Sequence, residues 1–172
     1  ENHFSVSGKV ERLTKEPRFD LKVLSQKLSL SRLEEYYTPL KGAIPKGIKI
    51  KGPLSFSSNI QGTRRDLRLK GDLDLTGSQF ILKGVLDKPE KMNAKLSYDF
   101  TVGKDRLTIR NAALNLKETN LKASGTIENF DRPLIDLHLK TDTINLNEWK
   151  DVLLLKQGKN LSGLIEIDAG LK

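Results

Sequence analysis

The stretch Leu67-Arg68-Leu69-Lys70-Gly71-Asp72-Leu73-Asp74-Leu75 places leucine or glycine at every odd number and a charge at every even one. A period of two marks a strand with one face buried, whereas helical spacing would scatter these leucines around all faces. Leucine by itself prefers helix, so here periodicity overrides propensity. The same alternation runs outward through Phe4, Val6 and Val10, Ile48 and Ile50, Leu54 and Phe56, Leu96 to Val102, Leu107 and Ile109, and Leu114 and Leu116. Turn signals separate the runs at short intervals: Pro45-Lys46-Gly47, Gly62, Gly77-Ser78, Asp87-Lys88-Pro89, Gly103-Lys104-Asp105 and Asn129 to Pro133. That spacing predicts antiparallel hairpins. Gly8, Gly52, Gly71, Gly84, Gly125 and Gly163 are expected inside strands, where a sheet bends or coils.

The chain also repeats itself. Pro17, Asp20, Leu21 and Leu30 return with the same spacings as Pro133, Asp136, Leu137 and Leu146, and Ser7-Gly8-Lys9-Val10-Glu11 returns as Ser124-Gly125-Thr126-Ile127-Glu128 with one residue of slippage before the proline. Both copies keep their apolar residues on one parity. A repeat of this kind predicts an extendable architecture, with units at about 4–57 and 121–168 joined by a β-meander at about 58–120. One short helix per unit is expected. Ser31-Arg32-Leu33-Glu34 fits a capping box, and Asn145 or Asn147-Glu148-Trp149-Lys150 opens the second, with Tyr36, Tyr37, Trp149, Val152 and Leu153 available for docking. The fold class is therefore mostly β: a curved antiparallel sheet, open groove or half-barrel, built of repeats, with two short helices.

The 172 residues form one β-rich segment, able to bury a substantial core. With cysteine absent and aromatics at 6%, that core is aliphatic and has neither disulfides nor thiol chemistry. A net charge of +8 suggests an anionic partner, yet the lysines are scattered at strand-alternating positions, and the one compact basic group is Arg64-Arg65 with Arg68 and Lys70. A solvated outer face accounts for that distribution better than nucleic acid does, since nucleic-acid binding calls for a contiguous basic patch. No apolar run is long enough for a membrane-spanning helix. The strand pattern that begins at Glu1 and is still running at Gly170-Leu171-Lys172 is expected to be a piece of something longer.

The sequence gathers little for catalysis. His138 shares strand parity with Asp136 and Lys140 and is expected to face solvent, and Asp72 with Asp74 falls short of a calcium ligand set. The repeated Asp20 and Asp136 read as turn caps or lysine partners rather than ligand contacts. No enzyme, metal site or cofactor is expected.

Ser124-Gly125-Thr126-Ile127, Pro133-Leu134-Ile135-Asp136-Leu137, Ile144-Asn145-Leu146 and Gly163-Leu164-Ile165-Glu166-Ile167, preceded by the pair from Leu107 to Gly125, resemble the AsmA family of bacterial envelope proteins, with TamB-like proteins as relatives. The resemblance implies a β-groove with an apolar concave face, a periplasmic location, a parent protein anchored in the inner membrane outside this segment, and a part in carrying phospholipids toward the outer membrane. Acyl chains suit an aliphatic groove because burying each methylene contributes about 0.8 kcal/mol without directional contacts. The candidate lining is Phe19, Leu21, Val23, Leu67, Leu69, Leu96, Phe100, Leu137 and Leu139. The alternative is a closed sandwich or barrel serving as a spacer or protein-interaction module in outer-membrane biogenesis. Open sheet edges would also permit self-association.

Overall fold

Alternating leucines bury one side of each strand only when neighbouring strands hold them in register, and the pairing in the computed structural model, which describes residues 3–29, 47–154 and 162–172, does so across a wide sheet. The described strands are β1 (His3–Glu11), β2 (Arg18–Ser29), β3 (Ile48–Lys51), β4 (Pro53–Thr63), β5 (Asp66–Asp74), β6 (Gln79–Leu82), β7 (Leu86–Lys88), β8 (Ala94–Gly103), β9 (Arg106–Leu116), β10 (Thr119–Glu128), β11 (Leu134–Thr141), β12 (Ile144–Asn145), β13 (Leu164–Ile165) and β14 (Asp168–Leu171). Nine of them form one antiparallel sheet in the order β1-β2-β4-β5-β8-β9-β10-β11-β14, which does not close on itself. β3, β6 and β7 make a small second sheet, and β12 pairs with β13.

The two ends of the large sheet differ. At one end the strands turn back tightly, through residues 12–17, 64–65, 104–105 and 129–133. At the other end β9 turns into β10 through 117–118, and the remaining connections leave the sheet to build β3, β6, β7, β12 and β13 before returning. Leu28, Leu54, Leu75, Ala94 and Leu116 meet Trp149 and Val152 there in a dry core. Val152 is 1% exposed, and the Trp149 indole N–H donates to Thr119 Oγ1 at 3.3 Å.

Lys88 anchors the small sheet from inside. Its side chain is 1% exposed, and Nζ donates to the carbonyls of Ser78 at 2.5 Å, Pro89 at 2.9 Å and Thr76 at 3.4 Å. Burial pushes the ammonium below the usual lysine range, against the pull of Asp74 and Glu90. The Asp87-Lys88-Pro89 turn signal thus proves to be the end of β7.

Among the described residues there is no helix. The helix expected from Ser31 lies outside the described residues, and the one expected from Asn145 is a run of turns. Asn145 Oδ1 accepts from the Asn147 amide at 3.1 Å as a helix cap does, but the backbone bonds that follow, Glu148 N–H to Asn145 O, Trp149 N–H to Leu146 O and Val152 N–H to Trp149 O, each span three residues, the spacing of turns. The far end is then drawn into cross-chain bonds, Asp87 N–H to Val152 O at 2.7 Å and Leu154 N–H to Val85 O at 3.0 Å. Too few residues remain to repay helix nucleation. Trp149 and Val152 dock nonetheless.

The repeat appears as two hairpins of matching register. Gly8 stands opposite Leu21 in β1–β2, and Gly125 opposite Leu137 in β10–β11. The connection is 12–17 in the first and 129–133 in the second, so the residue of slippage falls in the turn and leaves the strands in step. A Cβ on Gly8 would lie 2.0 Å from Asp20 O, and one on Gly125 would lie 2.1 Å from Asp136 O, with φ at +131° and +141°. Only glycine tolerates that approach and that backbone. Gly71 is also within a strand, but Gly52, Gly84 and Gly163 fall between strands, and Gly62 belongs to β4 rather than to a turn.

Candidate functional site

Cross-strand partners in an antiparallel sheet point to the same face. One row of partners runs Val6, Val23, Ser58, Gly71, Tyr98, Ala112, Ala123, Leu139 and Ala169, from one edge of the sheet to the other. Toward the turn end follows a row of Gly8, Leu21, Ile60, Leu69, Phe100, Ile109, Gly125, Leu137 and Leu171, and then one of Val10, Phe19, Gly62, Leu67, Val102, Leu107, Ile127 and Ile135. Toward the dry core lies a row of Phe4, Ser25, Phe56, Leu73, Leu96, Leu114, Leu121 and Thr141. Strand bulges between Ser25 and Leu28 in β2, and at Arg110-Asn111 in β9, keep the apolar parity intact by placing the extra residues on the other face.

All nine candidate residues, Phe19, Leu21, Val23, Leu67, Leu69, Leu96, Phe100, Leu137 and Leu139, therefore share one face. Val23 is buried, and the other eight are half-buried, retaining solvent-accessible surface. Phe56, Ile60, Tyr98, Leu107, Ile109 and Ile127 stand in the same rows and are not among the nine. Their alternation was visible, but their alignment with residues of distant strands depends on register. Tyr98 and Phe100 stack at 5.2 Å between ring centroids. Ser25 is 2% exposed on this face and its hydroxyl has no hydrogen-bond partner.

The opposite face is polar and tied together by short contacts. Arg68 reaches Asp99 through two bonds, at 2.9 and 2.6 Å, which hold the Asp99 carboxyl below the usual carboxylate range. Ser97 donates to Asp72 at 2.7 Å, and Gln61 to Asp20 at 3.1 Å. Asp20 is thus neither a turn cap nor a lysine partner. Asp136 lies opposite Thr126, and His138 is exposed with Nε2 at 3.3 Å from Asp168. What the repeated aspartates share is a backbone role, their carbonyls occupying the space beside Gly8 and Gly125. Among the described residues no three acidic or histidine side chains gather as a metal-ligand cluster.

At the turn end, the β1–β2, β4–β5 and β8–β9 turns enclose a cleft of about 770 Å³ lined by Lys15, Glu16, Pro17, Arg64, Arg65, Gly103 and Lys104. Arg65 pairs with Glu16 at 3.5 Å. Compared with family models, curated proteins and solved structures, the chain matches none.

Proposed function

We propose that this chain is a non-catalytic lipid-binding segment of an AsmA-like envelope protein, taking acyl chains along the apolar face of its open sheet. The observation that carries the reading is the face itself: mostly apolar rows, two of them spanning nine strands, half-buried toward the middle and exposed at the edges, in a sheet that does not close. Soluble chains rarely leave so large an apolar surface without an occupant. From Phe19 to Ser25 the groove measures about 20 Å at the rise of a strand, more than the roughly 15 Å hydrocarbon depth of one bilayer leaflet. A whole acyl chain fits along it. Withdrawing a dozen methylenes from water contributes on the order of 10 kcal/mol before the cost of association, so binding of moderate strength without a fixed register is expected.

The repeated motifs support the family reading and, with it, phospholipid transport between inner and outer membranes in the periplasm. β1 and β14 each have one neighbour, so the sheet has edges where further repeats or a second copy would extend the groove.

The test is mass spectrometry of lipid extracted from the purified chain, together with titration of a fluorescent fatty acid. Leu69→Asn, at the centre of the face, should weaken that titration by about tenfold, because a polar amide then meets methylenes. A chain that carries no lipid, and a probe indifferent to Leu69→Asn, would leave the spacer or assembly module as the better account.

A further inference from the structure

The cleft at the turn end collects cations that the rest of the molecule leaves alone. Four cationic side chains line it against one carboxylate, Glu16, and Arg65 takes that carboxylate. Of the arginines on the strands behind it, Arg68 is paired with Asp99 at 2.6 Å and Arg106 with Glu128 at 3.3 Å. Lys15, Arg64 and Lys104 are exposed and have no ion pair among the described residues. They come from three different hairpins, so only the folded sheet brings them to one place. Immediately inward lies the last apolar row, with Phe19, Leu67 and Val102.

We infer that this cleft is a phosphate site and that it takes the phosphate of a phospholipid head group, held by Lys15, Arg64 and Lys104. The inference rests on the acyl-groove reading for where the tails go. Unpaired cations converging on a cleft suit an anion with several acceptor oxygens, which each of them can meet by a charge-assisted bond. A free phosphate would satisfy the cations equally well. What favours the lipid is the setting: at the same end the turns and strand starts present Leu13 at 75% exposure, Phe130 at 48% and Leu134 at 67%, and free phosphate has no use for these. Basic residues flanked by exposed apolar tips are the combination that meets an anionic bilayer surface.

The experiment compares the full chain with a Lys15→Gln, Arg64→Gln, Lys104→Gln variant. All three sites are exposed, and the variant's far-ultraviolet spectrum should match that of the parent. Co-sedimentation with vesicles of phosphatidylglycerol and phosphatidylcholine in equal parts should weaken on the order of 100-fold at low salt, at roughly fivefold per cation near an anionic surface. Much of that difference should vanish at high salt. An uncharged monoacylglycerol probe should bind both proteins alike. Equal vesicle binding by the two proteins overturns the site. Binding of inorganic phosphate as tight as that of monomeric dihexanoyl phosphatidylglycerol reassigns it to free phosphate and overturns the lipid. Tighter capture of a mixed-sequence oligonucleotide by the same three residues does so too. Should the uncharged probe fail on the parent chain while the vesicle difference persists, the groove reading falls and the phosphate site stands.

Discussion

Replacing Gly125 by alanine tests how the sheet is built. The new Cβ would lie 2.1 Å from Asp136 O and 2.9 Å from Leu137 Cα, on a backbone with φ at +141°. Carbon and oxygen in contact sit at about 3.3 Å or more, so β10 and β11 must part by roughly 1 Å. The backbone conformation costs about 1–3 kcal/mol with a side chain present, and the forced shift a further 1–3 kcal/mol or so. The lower entropy of the unfolded alanine chain returns about 0.4–1 kcal/mol. A net loss of about 1–5 kcal/mol lowers Tm by roughly 2–20 °C in a domain of this size. Gly8→Ala meets the same local geometry, 2.0 Å from Asp20 O at φ +131°, but β1 is an edge strand with one neighbour and can detach alone. Its loss should appear as rapid amide exchange in β1 with a smaller fall in Tm. Thermal melts followed by circular dichroism, with hydrogen exchange on both variants, decide the matter. A Gly125→Ala protein melting within about 2 °C of the parent refutes the close approach, as does Gly8→Ala proving the costlier of the two.

Lys88→Met should cost about 2 kcal/mol in urea denaturation near neutral pH, because it strips the donor from the carbonyl of buried Ser78 and from that of Pro89; greater stability of the variant would show that the buried ammonium outweighs its bonds. The folded Lys88 value lies below the unfolded one, so between the two the unfolded chain binds more protons. Stability of the parent relative to Lys88→Met must then rise as the pH climbs toward the ordinary lysine value of about 10.4, and a falling or flat difference contradicts the burial. Val152→Ala, at a side chain 1% exposed in the dry core, should cost about 2–3 kcal/mol and speed amide exchange in β3, β6 and β7 before β1; uniform exchange would mean that the cap does not fold as a unit.

The strands were legible because a half-buried sheet writes its period directly into the chain, as Leu67 to Leu75 illustrate. The shared parity of the nine candidate residues followed from the same rule. Register was not legible. That Gly8 faces Leu21, and that β9 absorbs Arg110-Asn111 as a bulge, depends on backbone contacts that leave only a glycine or nothing in the sequence. Local signals failed where tertiary contacts overrode them. Asp87-Lys88-Pro89 has turn chemistry but ends a strand, since Lys88 finds three carbonyls inside. Asn145 to Leu153 has helix-start chemistry, but its backbone is claimed by β7. The cleft was invisible because Lys15, Arg64 and Lys104 are far apart in the chain and converge only when three hairpins align.

The difference between the ends of the sheet gives the proposed groove a direction. At the Trp149 end a tail meets a dry apolar wall, where Leu28, Leu54 and Leu116 already satisfy one another. At the turn end it meets water, cations and exposed apolar tips. Burying a phosphate among the leucines costs more than an alignment of methylenes returns, so in the proposed groove the head group belongs at the turns, with the tail toward Trp149. Sideways, no row imposes such a cost. Successive strands offer the same aliphatic chemistry from Phe19 to Leu67 to Val102, so a lipid that keeps its orientation along the strands can still shift across them toward the next repeat. The repeat then matters because the slipped residue lies in the turn: were it in a strand, the apolar parity of β11 would invert and the path across the sheet would end there.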